Sequence, residues 1–347
     1  MSMMSKFKSM MPVSSRSFHS FEQHVNRQLA AIKRQTRTKD DPKTPLRFWA
    51  LYQRDGENLL DAKRRFFKSL PAAQGDAKLF QDAQAKLMRE FHQMCVDNHL
   101  QYWVTGGVLI GAERTGGFIP WDDDVDVAIP RDDINKLKKI LEGSTTHRVV
   151  TVWDYRGMCE QIRLRTADPD NPAFIDLFIF DWTNDPTEEM YWASHDYRKQ
   201  MIEEMRKKYS ATEWPKLWHV EDDDTNPLVQ SIRADFNRWI LKEREEAPYI
   251  TDREHATGLY RTIENFDDPY HFAYVGSFEE DWYPAREMPF EDFTIWAPKN
   301  KEKYLDGVYG DIWELPNDIN SHFTTHVSGK TLQEEQTREA LKRYLAQ

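Results

Sequence analysis

Between residues 102 and 180 the chain alternates short β-prone runs with helix-compatible stretches, which restricts it to an α/β (α+β) architecture around one core. Tyr102 to Thr105 is β-prone, Gly106-Gly107 makes a tight turn, and Val108 to Arg114 continues as helix until Gly116-Gly117-Phe118-Ile119-Pro120 closes it. Val125 to Ile129 reads as the next strand, stopped by Pro130, and Ile134, Leu137, Ile140 and Leu141 give the next helix. Val149 to Trp153 and Gln161 to Arg165 are further strands. Phe174 to Phe180 is apolar at every position except Asp176.

The pattern extends on both sides. From Asp76 the spacing of Leu87, Phe91, Met94 and Cys95 predicts a helix that ends at Asn98-His99. Pro186 to Tyr209 and Pro227 to Glu246 are charged, amphipathic and helical, separated by the acidic loop Glu221 to Asp224. Phe272 to Val275 and Phe293 to Ala297 are β-prone, and a short helix ends near Tyr309-Gly310.

Composition narrows the function classes. A net charge of −11 argues against general electrostatic affinity for nucleic acid. Cys95 and Cys159 are the only cysteines, too few for a disulfide framework or a four-cysteine zinc site, and they point to a reducing compartment. No run of about 18 apolar residues occurs, so no transmembrane segment is predicted. These readings favour a cytoplasmic location. Residues 1–39 hold eight Lys or Arg against the single acid Glu22, whereas the remainder of the chain carries −18. The arm is read as disordered and basic; a mitochondrial-type transit peptide is the sharper alternative.

The chemistry concentrates in Trp121-Asp122-Asp123-Asp124-Val125-Asp126-Val127. An extended backbone would turn Asp122, Asp124 and Asp126 to one face, with Val125 and Val127 opposite and Asp123 turned away. Carboxylates this close repel one another unless a divalent cation binds them, and hard oxygen ligands suit Mg²⁺ (or Mn²⁺). An acidic turn in water is the plain alternative, but Ile119, Val125, Val127 and Ile129 frame these acids as a core-facing segment. Asp176 is costly in its apolar run if buried without a partner, so it is expected to join Asp124 and Asp126 as a third metal ligand and catalytic carboxylate. Neutralising it should then stabilise the metal-free fold. Gly106 and Gly107 allow backbone amides to approach a phosphate at a helix N-terminus. Gly329-Lys330-Thr331 fails as a phosphate loop because the earlier glycine would fall at Thr324.

The stretch GGVLIGAERTGGFIPWDDDVDVAIPRDD, residues 106 to 133, resembles the signature of the LicD/fukutin-related family. FIDLFIFD (174 to 181) and PFEDFTIWAPKNKEKYLDGVYGDIWELP (289 to 316) are similar to later segments of that family. The resemblance implies a nucleotidyltransferase-fold mixed sheet with flanking helices. It also implies transfer of a phosphorylated alcohol, such as phosphocholine or ribitol phosphate, from a CDP-activated donor to a glycan or glycolipid acceptor.

Carried over to this chain, the resemblance makes Asp124 and Asp126 the metal-binding pair, Gly106 and Gly107 the phosphate-cradling turn, and Tyr309, Gly310 and Asp311 the closing motif. Trp121 falls in the matched signature, and Arg114 and Arg163 are assigned to donor phosphates. The implied organisation is a basic arm over 1–39, a helical lead-in over 40–84, a catalytic domain over 85–320 with a helical insertion at 186–246, and a C-terminal helix over 321–347. Animal relatives often work in the secretory pathway behind a membrane anchor, which keeps a Golgi location open. Two other readings stay open: a nucleotidyltransferase adding a nucleoside monophosphate to a small molecule or protein, and a catalytically silent interaction protein that docks through the 186–246 helices.

Overall fold

A computed structural model of the chain describes residues 43–154, 159–213, 220–221, 225–264, 274–315, 327 and 329–347. The chain separates into two compact units, Met1–Glu57 and Asn58–Gln347. The helical segment expected over 40–84 is therefore shared between them, and the basic arm over 1–39 lies outside the described residues. In the first unit, α1 (Lys43–Tyr52) stacks Phe48 on Tyr52 at i, i+4, with ring centroids 5.7 Å apart.

The second unit runs α2 (Leu59–Lys68), α3 (Gly75–Asp97), β1 (Trp103–Val104), α4 (Gly106–Arg114), β2 (Asp126–Pro130), α5 (Arg131–Ile140), β3 (His147–Asp154), β4 (Cys159–Thr166) and β5 (Phe174–Thr183). It continues with α6 (Glu188–Tyr209), β6 (Val220–Glu221), α7 (Pro227–Glu246), β7 (Gly258–Arg261), β8 (Val275–Ser277), a π-helical turn (Phe278–Trp282), β9 (Arg286–Phe290), β10 (Phe293–Ala297), α8 (Lys301–Tyr309), α9 (Gly329–Leu332) and α10 (Glu335–Leu345).

The mixed sheet implied by the resemblance is present. Its order is β1-β2-β5-β4-β3-β6, with β7 pairing β5 and β8 pairing β7. β2 and β5 run parallel, with Asp126 opposite Asp176; the other named pairs in this sheet are antiparallel. β5 is long enough to hold β4 along Phe174–Leu177 and β7 along Phe180–Thr183. It is buried at every position but Phe178, which explains its nearly unbroken apolar sequence.

The helices follow their apolar faces. α3 buries Phe80, Leu87, Met88, Phe91 and Cys95 on the sheet and stops before His99, which takes φ 55°. α7 begins where Asn226 caps the Leu228 amide and Pro227 occupies the first turn. α6 and α7 share a separate apolar cluster of Met201, Met205, Tyr209, Val229, Ile232 and Phe236 with Trp153. The 186–246 segment therefore has its own core. No helix among the described residues is long and apolar enough to cross a membrane.

Candidate active site

β1 leads through Thr105 into Gly106 and Gly107, the first residues of α4, and the Thr105 amide donates to the Asp126 carbonyl at 2.9 Å. The strand pairing thus lays the turn over the start of β2. Gly106 has φ +60°, which favours glycine, and a β-carbon there would fall on Asp126 Oδ2 and lie 3.0 Å from its Cγ. A β-carbon on Gly107 would fall on Asp122 Oδ2 and lie 2.8 Å from its Cγ. The glycines fit two carboxylates against the first turn of a helix, the end whose dipole favours negative charge.

Asp122, Asp124 and Asp126 form one electrostatic group. Burial, and then Asp124, Asp126 and Asp123, push the Asp122 carboxyl well above its ordinary range. Its Oδ2 is buried and has no hydrogen-bond partner among the described residues. Asp123 points elsewhere, as the alternation predicts: its carboxylate accepts from the Val327 amide at 3.5 Å. β2 itself begins only at Asp126, so the acids before it sit in the loop that feeds the strand.

Asp176 lies beside Asp126 in the parallel register, and its amide donates to Val125 O at 2.8 Å. It is not the lone charge the apolar run implies. Arg163, opposite it on β4, donates from Nε to Oδ1 at 2.7 Å and from Nη2 to Oδ2 at 3.4 Å. Both residues are buried, at 6% and 5% exposure, and the guanidinium lies 4.1 Å from the Phe174 ring centroid. Two premises change: Asp176 has a counter-charge, and Arg163 spends its fork on a protein carboxylate.

Arg114 is also committed inside the protein. Nε and Nη2 both donate to the Ile312 carbonyl, and the guanidinium stacks 4.0 Å above Phe67. Burial pushes it down to about 10, with Asp311 acting the other way. Asp311 accepts from Lys63 Nζ at 2.8 Å and from the Trp313 amide at 2.8 Å, so it ties α2 to the segment after α8. Tyr309 ends α8 before Gly310, at φ +70°; although the residue is partly exposed, desolvation of its hydroxyl end, and then Tyr274 and the acids Asp126, Asp124 and Asp122, raise its phenol well above the ordinary value. The side chain is 41% exposed, which places it on the rim of the acidic group. Trp121 is half-buried in the turn just before the acids.

Two residues escaped the sequence reading of this face. Tyr304 on α8 is buried, and its hydroxyl has no hydrogen-bond partner among the described residues. Arg261 ends β7, a strand of four residues with no alternation to announce it. Among the described residues, no three of His, Cys, Asp and Glu are grouped so as to hold a metal ion. Asp124 and Asp126 remain the candidate pair, and one or two carboxylates are what Mg²⁺ usually takes from a protein beside substrate phosphates.

The parallel strands β2 and β5 bring Asp126 and Asp176 side by side, with the Gly106-Gly107 helix start against Asp126, so the class is an α+β domain with a mixed sheet and one acidic face. Residues 99–219 match the family described as LicD/FKTN/FKRP, nucleotidyltransferase domain. It is 37% identical over 103 residues to the lipopolysaccharide cholinephosphotransferase LicD of Haemophilus influenzae, covering 26% of this chain and 39% of that protein. It is 32% identical over 100 residues to the ribitol 5-phosphate transferase FKRP of Homo sapiens, covering 28% of this chain and 20% of that protein. An uncharacterised Rickettsia prowazekii protein is 41% identical over 56 residues, 16% of this chain and 21% of that protein. The chain therefore spans well under two thirds of each of these relatives.

Proposed function

We propose that this protein is a metal-dependent transferase that moves a phosphorylated alcohol from a CDP-activated donor to a glycan or glycolipid acceptor. The observation that carries the reading is the seating of Gly106 and Gly107 against Asp126 and Asp122, inside the domain matched to the family. The names of the bacterial and animal relatives, a cholinephosphotransferase and a ribitol 5-phosphate transferase, supply the substrate class.

Asp124 and Asp126 would hold Mg²⁺ (or Mn²⁺), with Asp176 beside them as the third carboxylate of the site. The buried Asp122 oxygen, which has no hydrogen-bond partner among the described residues, and the hard oxygen character of the group fit such an ion. When bound, the ion would neutralise charge on the transferring phosphate. The chain's own groups would cradle that phosphate at the start of α4 and hold Asp126 in register through the β2–β5 pairing. Transfer breaks the bond between the two donor phosphates, joins the outer phosphorus to an acceptor hydroxyl and releases CMP.

The test is a screen of CDP-, UDP- and GDP-linked alcohols and free nucleoside triphosphates with Mg²⁺, for wild type and Asp126→Asn. A CDP-linked donor should be consumed with release of CMP, and the variant should lose turnover. Consumption of a free triphosphate with release of pyrophosphate would make the protein a nucleotidyltransferase instead.

A further inference from the structure

The acidic face opens at two positions of the central strands. Asp126 is the half-exposed residue of β2, and Phe178 is the half-exposed residue of β5. Phe178 is two residues beyond Asp176, so the two side chains lie on one face of the sheet. Over this opening sits Arg261, whose neighbour across the β5–β7 pairing is Phe180, on that same face. Its guanidinium is 4.6 Å from the ring centroid of Phe178 and 4.6 Å from that of Tyr274.

Among the described residues Arg261 has no carboxylate partner, and its Nε is buried without a hydrogen bond. An arginine so placed is unusual, because a partly desolvated guanidinium normally recovers its lost hydration from an anion. The two rings hold it by cation–π contact without satisfying its donors. The Tyr304 hydroxyl is also buried and without a partner among the described residues, and its ring lies 6.1 Å from that of Tyr274, on which Arg261 stacks. Two sets of idle donors therefore border one opening beside the acids. Arg114 and Arg163, the arginines expected to meet phosphate, are occupied by Ile312 and Asp176.

We infer that Arg261, with the Tyr304 hydroxyl, is the subsite for a phosphate of the nucleotide donor, the one that departs with the nucleoside. This rests on the proposed function. A donor with two linked phosphates needs a second cationic partner besides the ion at Asp124 and Asp126, and a guanidinium fork meets phosphate oxygens in pairs. The aromatic stack holds the fork in place before the ligand arrives, which limits the entropy lost on binding.

The experiment is calorimetric titration of the full chain in Mg²⁺ with CDP, UDP, GDP and inorganic pyrophosphate as probes. Wild type is compared with Arg261→Ala, Arg261→Lys and Tyr304→Phe, and melting temperature reports folding. We expect Arg261→Ala to weaken binding of the preferred probe about tenfold or more and Tyr304→Phe severalfold, with Lys between Ala and wild type. If Arg261→Ala does not fold, Arg261→Lys, which keeps a cation on the rings, decides. Equal binding of a nucleoside diphosphate by wild type and both Arg261 variants overturns the arginine subsite and leaves the proposed function standing. Pyrophosphate binding that depends on Arg261, with no nucleoside diphosphate bound, keeps the subsite and sinks the nucleotide-donor reading. A wild type that binds none of the probes overturns both.

Discussion

Replacing Asp176 by Asn should destabilise the metal-free protein, the reverse of what its apolar surroundings alone imply. The substitution leaves the Arg163 guanidinium, 5% exposed, without a counter-charge. Removing one member of a buried pair costs roughly 3–5 kcal/mol. Asn keeps the shape and one acceptor for Nε, and Arg163 retains Gln161 Oε1 at 3.0 Å, so the lower end applies, about 3 kcal/mol. Relief of repulsion from Asp126, opposite in the register, offsets part of this. For a unit of this size the melting temperature should fall by about 6 °C. The assay is scanning calorimetry in EDTA of Asp176→Asn, Arg163→Met and the double variant. The double variant should recover much of the loss, with a coupling of about 2 kcal/mol. Melting of Asp176→Asn at or above wild type would show that the ion pair contributes nothing net.

Gly106→Ala should displace the Asp126 carboxylate and force an L-residue to φ +60°, costing about 1–2 kcal/mol in stability and roughly a hundredfold in turnover. Unchanged turnover in a folded variant would remove the turn from the site. Glu243 is buried between Ser194 and Tyr249, each donating at 2.8 Å; burial raises its carboxyl to about 7, and those two hydrogen bonds act against the rise. A carboxyl raised in the folded state stabilises below the unfolded value near 4.5 and loses that contribution as pH climbs through 7. Chemical denaturation at pH 5 and pH 8 should show wild type losing roughly 3 kcal/mol relative to Glu243→Gln. Parallel pH profiles for the two proteins would refute the assignment.

Periodicity carried most of the fold because the strands and helices bury continuous faces. Phe293–Ala297 and Pro227–Glu246 fall at the bounds read from the sequence, and the buried run of β5 is visible as an apolar run. The juxtaposition of Gly106, Gly107 and the acids was legible because a short strand, a turn and a second strand are neighbours in the chain. The arginines were not. Arg163 meets Asp176 only through the antiparallel register of β4 and β5, and a slip of one residue would put it on the other face. Arg114 finds the Ile312 carbonyl 198 residues away, a contact with no local signal. The residue types were right for phosphate, but tertiary pairing had already claimed them.

Neutralising an acid should stabilise the protein where the fold gives that acid no counter-charge. Asp176 and Asp181 both lie within β5, and each is matched by an arginine from another element: Arg163 from β4, and Arg131 from α5 at 2.6 Å. Asp122 has acids where those two have arginines, and its shielded Oδ2 accepts nothing among the described residues. A fold that supplies guanidinium partners elsewhere leaves this oxygen unmatched against the Gly107 turn, where a cation would complete it. Asp122→Asn should therefore raise the melting temperature in EDTA by about 2 °C or more, opposite in sign to Asp176→Asn. It should also blunt any stabilisation by added Mg²⁺, because a ligand that binds only the folded state stabilises in proportion to its affinity. Thermal melts of both variants, with and without Mg²⁺, read the two signs side by side. A fall for Asp122→Asn in EDTA equal to that of Asp176→Asn would mean that Asp122 is held by contacts as favourable as an ion pair, and the case for a cation at this turn would fail.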